Sequence, residues 1–368
     1  RFRHGILPQY QHEENREIFY MINHQLICKV LGQLLFLEAV LLMVSLGVSI
    51  GYQEDDVFAF LVTIFITIGA GLALKWRGHN ADNSMSRRDA YLVVSLAWIV
   101  FSFFGTFPFL ISGYIHSFTD AYFETMSGFT TTGATIIDNV EVLPHGLLFW
   151  RSLTQWIGGL GIVFFTIALL PSLVGGQIKV FAAEATGPIK TKLHPRLSTS
   201  AKWIWSIYIV LTIACIVSYY FGGMNVFDSF NYAMTTTATG GFATHNTSTE
   251  FFHSPTLEYI CTLFTFLSGI NFTLLYAAVI KLNIKNLFKN SEFKFYIFLV
   301  VVFTAFIMME LMTMRHYDLE HAFRCGLFQV VSFITTTGLF NDDAATWPHV
   351  TWVVLAACMF FGACSGST

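Results

Sequence analysis

The chain has 368 residues, 54% of them hydrophobic and only 12% charged, with a formal net charge of −3 and a mean hydropathy of +0.59. Soluble domains carry about 25% charged residues, so the bulk of this chain belongs in lipid and a water-soluble fold is excluded. The near-neutral total says nothing about partners, and six scattered cysteines without a CxxC pair give neither a disulfide framework nor a metal-ligand spacing.

In chain order, residues 1–20 are polar, begin without Met and read as an extension ahead of Met21. No cleavable signal peptide is evident, so the first apolar segment would act as its own membrane signal. A crossing helix needs about 20 mostly apolar residues. Eight spans are predicted, at roughly 30–50, 57–74, 91–112, 147–170, 203–221, 259–280, 295–313 and 350–368. Between them lie apolar segments too short to cross, at about 118–129, 226–236 and 321–334. The last residues, Gly362–Thr368, stop inside an apolar run with no closing charge, which predicts a truncated chain.

The cations alternate with the spans. Of 20 Lys and Arg, 13 lie in three connections: Lys75 to Arg88, Lys179 to Lys202 and Lys281 to Lys294. The N-terminal arm holds four more, and the alternate connections carry Glu54, Asp55 and Asp56, then Asp138 and Glu141, then Asp342 and Asp343. Lys and Arg concentrate on the cytoplasmic side, so the N-terminus and the three basic connections are predicted to be cytoplasmic.

The short segments repeat a pattern. They end Phe129–Thr135 (FTTTGAT), Thr235–Phe242 (TTTATGGF) and Phe333–Phe340 (FITTTGLF). Aligned on Gly133, Gly240 and Gly338, they stand 107 and 98 residues apart, each following a half-length helix on the acid-rich side. Non-helical backbone at membrane depth is tolerated only inside protein or along a watery cavity. Three such segments predict a shared cavity. Glycine at the turn permits positive φ, a ring of carbonyls can replace the hydration shell of a monovalent cation, and a half-helix aiming its C-terminal end at the cavity adds partial negative charge.

Other residues have plainer readings. Gly158, Gly159 and Gly161 predict close helix packing. Arg151 reads as a snorkelling or carboxylate-paired residue near the outer interface. Asp120 and Asp228 read as helix N-caps, with an outer-mouth charge as the functional alternative, and the direction of Glu124 is not readable. Glu38 and Glu310 lie in or near spans without an evident partner. His316 and His321, with Asp318 and Glu320 between them, fall in a loop where solvated polar residues are expected rather than a transition-metal site. Asn246-Thr247-Ser248 is a glycosylation sequon of the kind frequent by chance. No Ser/His, paired-Asp or HExxH constellation is present, so the chain is not expected to be an enzyme.

Six stretches carry a family resemblance: Asp120–Thr135, Leu143–Pro171, Thr186–Tyr208, Thr237–Ser248, Phe328–Phe340 and Phe360–Thr368. Over residues 21 to 368 the chain resembles the TrkH branch of the Trk/Ktr/HKT potassium transporter superfamily. That resemblance implies an all-α polytopic membrane protein with pseudo-fourfold span–pore helix–span units, preceded by two extra helices. Three units are present: 89–175, 176–283 and 284–368, after the leading helices of 21–88. It implies K⁺ uptake through a selectivity filter, with ion contacts at Thr131, Thr132 and Gly133; Ala238, Thr239 and Gly240; and Thr336, Thr337 and Gly338. It implies a gate loop beginning at Gly362, Ser365, Gly366, Ser367 and Thr368. It further implies a homodimer in the bacterial inner membrane and a cytosolic nucleotide-binding regulatory subunit of the TrkA/KtrA kind. K⁺ is the transported ion; no bound cofactor and no nucleic-acid partner are implied. A symporter coupled to H⁺ or Na⁺, or a non-conducting fragment, stands as the alternative.

Overall fold

The computed structural model describes residues 22–82, 85–161, 197–279, 284–364 and 367. The extension 1–20, the second half of the predicted span 147–170, most of the linker after it, and Ser365, Gly366 and Thr368 of the predicted gate lie outside the described residues. Among the described residues there is no strand; the fold is all-α.

Two long helices lead, α1 (His24–Tyr52) and α2 (Val57–Arg77). They form an antiparallel hairpin whose backbones touch where Gly32 faces Gly71. A Cβ on Gly32 would stand 2.8 Å from the Gly71 carbonyl oxygen, and one on Gly71 would stand 3.2 Å from the Gly32 oxygen. The hairpin loop is tied to the first unit. Glu54 accepts from the backbone N–H of His145 at 2.5 Å and meets its ring at 2.7 Å, while Asp56 accepts from Ser49.

The first unit comprises α3 (Arg87–Gly105), α4 (Phe107–Ser112), the half-length α5 (Phe118–Phe129) and α6 (His145–Gly159). Pro108 at the start of α4 marks the kink between α3 and α4, since a proline ring cannot continue the ladder. The second unit comprises α7 (Leu197–Gly222), the half-length α8 (Val226–Thr237), α9 (Pro255–Ser268) and α10 (Phe272–Val279). A short α11 (Ile284–Lys289) leads to the third unit: α12 (Ser291–Met314), α13 (Leu319–Ile334) and α14 (His349–Phe361).

Among the described residues, five helical stretches are long and apolar enough to cross a membrane: His24–Tyr52, Val57–Arg77, Arg88–Ser112, Trp203–Gly222 and Ser291–Met314. Outward-facing Phe65, Phe221 and Phe360, at 73%, 83% and 91% exposure, would be anomalous in water and are ordinary against lipid. Buried Trp150, Tyr208 and Tyr232 fill the inside.

The spans predicted at 259–280 and 350–368 are not continuous. The first breaks at Gly269–Asn271, where the Asn271 side chain accepts from Thr273 N–H at 2.8 Å and starts α10 afresh. The second stops at Phe361, because Gly362 turns to φ +67°. An apolar run cannot reveal these stops; a local hydrogen-bond competitor and a left-handed glycine make them.

Replacing Gly32 with Val should force α1 and α2 apart and destabilise the hairpin by about 1–3 kcal/mol. Thermal unfolding of the detergent-solubilised protein would read this as a lowered midpoint, while Gly47→Val, with open space around its Cα, should leave the midpoint near the wild-type value.

Candidate functional site: three left-handed bends

Each half-length helix is capped at its start by a side chain. Ser117 accepts from Asp120 N–H at 3.4 Å, Asn225 from Asp228 N–H at 2.8 Å, and Asp318 from His321 N–H at 3.4 Å. Asp120 and Asp228 are therefore third-position residues and not the caps expected from sequence. Asp228 is not a free charge at a mouth either. It is buried, accepting from Thr244 Oγ1 at 2.6 Å and Asn225 Nδ2 at 2.7 Å, with a ring nitrogen of His245 at 3.2 Å. Burial acts to raise its pKa, but the hydrogen bonds from His245 and Thr244 outweigh it and hold the carboxyl below its usual value.

Each helix ends in the same backbone figure. Thr131, Thr239 and Thr336 take φ of 54°, 51° and 54°, and Gly133, Gly241 and Gly338 take 75°, 87° and 81°. The N–H groups fold back onto the helix: Thr132 to Ser127 O at 2.9 Å, Gly240 to Thr235 O at 2.9 Å and Thr337 to Ser332 O at 2.8 Å. The equivalent residues are thus Thr131-Thr132-Gly133, Thr239-Gly240-Gly241 and Thr336-Thr337-Gly338. The sequence alignment on Gly240 is one residue early. Two adjacent glycines were interchangeable as letters, and only the backbone shows that Gly241 carries the left-handed turn. Ala238 then matches Thr130 and Thr335 and closes its helix.

The bends are neighbours in order. A Cβ on Gly133 would collide with the Gly240 carbonyl, and one on Gly241 with the Thr337 carbonyl; at Gly338 it would meet nothing within 4 Å among the described residues. The first and second bends therefore press their glycines on the carbonyl of the next. No other residue permits both the positive φ and the approach.

Side chains behind the bends hold them. Gln155 of α6, fully buried, donates to Gly240 O at 2.6 Å and accepts from Phe242 N–H at 3.0 Å. Arg151, one turn earlier, donates to Glu124 at 2.8 Å, to Ala243 O at 3.1 Å and to Thr135 Oγ1 at 3.3 Å, and lies over the Phe242 ring. Glu124 also accepts from Thr135 Oγ1 and Ile136 N–H, each at 3.0 Å. This pair is 2% and 0% exposed. Glu124 does not face a vestibule, and Arg151 takes the carboxylate-paired option rather than snorkelling.

Below the bends the glycines of α6 and α9 share an environment. Gly159 packs on Tyr208, whose hydroxyl donates to Trp156 O at 3.0 Å; Gly269 packs on Tyr296, whose hydroxyl donates to Phe266 O at 3.4 Å. Gly159 also faces Ala238 and Gly269 faces Thr335, an independent sign that Ala238 and Thr335 correspond. Gly158 presses on the Phe129 carbonyl, the close packing expected of the glycine run. Of the predicted gate residues that are described, Gly362 ends α14. Two residues later Cys364 N–H donates to Gly269 O at 3.0 Å, so the segment after α14 meets the break in the second unit. Glu38 is fully buried on α1, with no hydrogen-bond partner for either oxygen among the described residues.

Half-length helices ending in polar bends at the centre of long apolar helices define a polytopic membrane protein with re-entrant segments. Residues 56–368 match the family described as "TrkH: Cation transport protein". The chain is similar to the Trk system potassium uptake protein TrkH of Escherichia coli strain K12, at 35% identity over 347 residues, 93% of this chain and 71% of that protein. It is likewise similar to the protein of that name from Halomonas elongata, at 35% identity over 346 residues, 94% and 72% of the two chains. Among solved structures it resembles the potassium transporter TrkH from Vibrio parahaemolyticus, with a TM-score of 0.82, 35% identity and coverage of 93% and 71%. The chain belongs to the TrkH family of cation transport proteins.

Sequence reasoning missed Gln155, a neutral residue inside a span whose only signal was its polarity at that depth. Arg151→Met would leave Glu124 buried without its partner and should cost about 3–5 kcal/mol, seen as a lower thermal midpoint in detergent. For Asp228, the depressed pKa means its contribution is complete above the ordinary carboxylate range and is lost as pH falls through the native pKa. Asp228→Asn should therefore be less stable at neutral pH and show a shallower acid-side loss of thermal midpoint below about pH 4.

Proposed function

We propose that the chain takes up K⁺ across the bacterial plasma membrane through a filter built by the three bends, with the ion moving inward down its electrochemical gradient. The observation that carries this reading is the head-to-tail contact of the bends, Gly133 on Gly240 and Gly241 on Thr337, which brings main-chain oxygens of separate units together. The relatives' names, potassium uptake protein, supply the ion. In this reading the ion contacts are Thr131, Thr132 and Gly133; Thr239, Gly240 and Gly241; and Thr336, Thr337 and Gly338. Carbonyls replace hydration water, and the C-terminal ends of α5, α8 and α13 contribute negative potential.

The units at 89–175, 176–283 and 284–368, after the leading hairpin, follow from the recurrence of first helix, half-length helix, bend and second helix. The relatives extend beyond the matched part, and a fourth unit would face Gly338. The gate in this reading starts at Gly362 and rests on the break at Gly269, supported by the Cys364 bond. The concentration of Lys and Arg after alternate spans supports a cytoplasmic N-terminus and a basic cytosolic face, where a nucleotide-binding regulatory subunit would dock on a homodimer.

The test is ⁸⁶Rb⁺ uptake into proteoliposomes holding the full-length protein, with Na⁺ as competitor. Gly241→Ala, which adds a left-handed alanine at about 1–2 kcal/mol and a collision with Thr337, should lose K⁺ over Na⁺ discrimination about tenfold. Gly240→Ala, whose nearest neighbours are side-chain atoms of Gln155 rather than backbone, should lose less. The reverse order, or unchanged flux ratios in both, would remove the filter assignment.

A further inference from the structure

Outside the bends, the structure brings together three side chains that sequence spacing kept apart. His321 and Cys325 stand four residues apart on α13, on one face of the helix. Asp342 returns to them from the segment leaving the third bend. One ligand atom of each lies within 4.8 Å of the other two. The set is mixed: an imidazole nitrogen, a thiol sulfur and a carboxylate oxygen. His316, Asp318 and Glu320, which flank His321 in sequence, are not in it.

The carboxylate is held in place. Asp342 Oδ2 accepts from Trp347 Nε1 at 2.9 Å and Tyr317 Oη at 3.0 Å, and Oδ1 accepts from Asp343 N–H at 2.9 Å. An ionised carboxylate has about four lone-pair sites, so it keeps one to offer. The His321 ring stacks on Tyr317 with centroids 4.4 Å apart. Cys325 is buried, and its sulfur has Asn341 Nδ2 at 3.7 Å. The cation nearest in sequence, Arg324, is engaged by Glu258 at 2.6 Å and Glu320 at 2.9 Å, so its charge is offset. His321 and Asp342 are partly exposed, so two of the three donors stand at the water-facing side of the cluster while Cys325 stays buried.

We propose that His321, Cys325 and Asp342 form a binding site for a zinc-class divalent ion, with water as the fourth ligand. Zinc takes N, S and O donors in a tetrahedron, with bonds of about 2.0–2.3 Å. The donor atoms need to close by roughly 1 Å from their present spacing, a side-chain rotation on a rigid helix. The thiol binds as thiolate, and its proton passes to bulk water as the sulfur–metal bond forms. Tyr317 and Trp347 act as the outer shell that aims the carboxylate. The ion would tie α13 to the segment four residues beyond Gly338, and it would neighbour a cavity of about 520 Å³ lined by Gln329, Gly338, Phe340 and Asp342. The site stands on these three residues and does not depend on which ion the bends conduct.

Titrating the purified full-length protein in detergent with Co²⁺ tests it, since a thiolate–cobalt bond gives an intense near-ultraviolet charge-transfer band. The expected result is saturation near one equivalent, displacement by Zn²⁺, loss of the band in Cys325→Ser, and affinity at least about tenfold weaker in His321→Gln and Asp342→Asn. His321 is partly exposed on the first turns of α13, so its variant reports even if the buried cysteine variant misfolds. No thiolate band, a band that survives Cys325→Ser, or unchanged affinity in both other variants would overturn the proposal.

Discussion

A main chain that leaves its helix among apolar residues must find a partner for every polar group, because lipid supplies none. The three bends meet this demand locally. Their N–H groups turn back to the carbonyls of the helix just ended, which leaves the bend's own carbonyls for other partners. Beyond the glycine the chain is caught again: Ser127 Oγ donates to Ala134 O at 2.6 Å, and Ser332 Oγ donates to Leu339 O at 2.7 Å. The left-handed Thr hydroxyls of the first two bends bond the carbonyl just before them. A bend fixed in this way can be polar at its exposed edge without unravelling the helix behind it.

The same demand explains the paired tyrosines. Where α6 and α9 approach their ends, carbonyls lose their helical partners. Tyr208 and Tyr296, each from the first helix of the following unit, supply a hydroxyl to the carbonyl three residues before the packed glycine. Each ring also stacks on the residue it caps, Trp156 at 5.6 Å and Phe266 at 4.9 Å. A side chain at Gly159 or Gly269 would push the phenol away. Glycine is kept there by a neighbour's ring rather than by its own φ.

Sequence made the architecture legible where a local signal was strong. Runs of apolar residues marked the leading hairpin and the first helix of each unit, and Thr-Gly clusters marked the bends. It misled where the physics was not local. Gly240 and Gly241 could not be ranked without φ. The break at Gly269–Asn271 was hidden because Ser, Gly and Asn inside an apolar run look tolerable on hydropathy alone. Glu124 and Arg151 are 27 residues apart, and their partnership depends on two helices meeting. Asp342 lies 17 residues beyond Cys325 and reaches it only because the chain reverses at the third bend. Caps at Ser117 and Asn225 were overlooked in favour of the nearby aspartates, although the residue that caps precedes the first helical one.

The corrected register exposes a rule that the letters conceal. Nine residues before each left-handed glycine stands a buried polar side chain, Glu124, Tyr232 or Gln329. Each reaches past its own bend to the returning chain: Glu124 to Thr135 and Ile136, Tyr232 to Ser248 O at 2.8 Å, and Gln329 to Asn341 at 3.4 Å. The chemistry differs, and so does the reach: 11 and 12 residues along the chain in the first unit, 16 in the second and 12 in the third. Charge is handled differently in each unit as well. Arg151 answers Glu124 in the first, His245 lies against Asp228 in the second, and Arg324 of the third reaches across to Glu258 of the second, behind Asn341. What recurs is a strut from helix to returning chain; only in the first unit does the strut itself carry a charge, and Arg151 balances it. No charged side chain belongs to the bends themselves, so what they present to one another is backbone dipole.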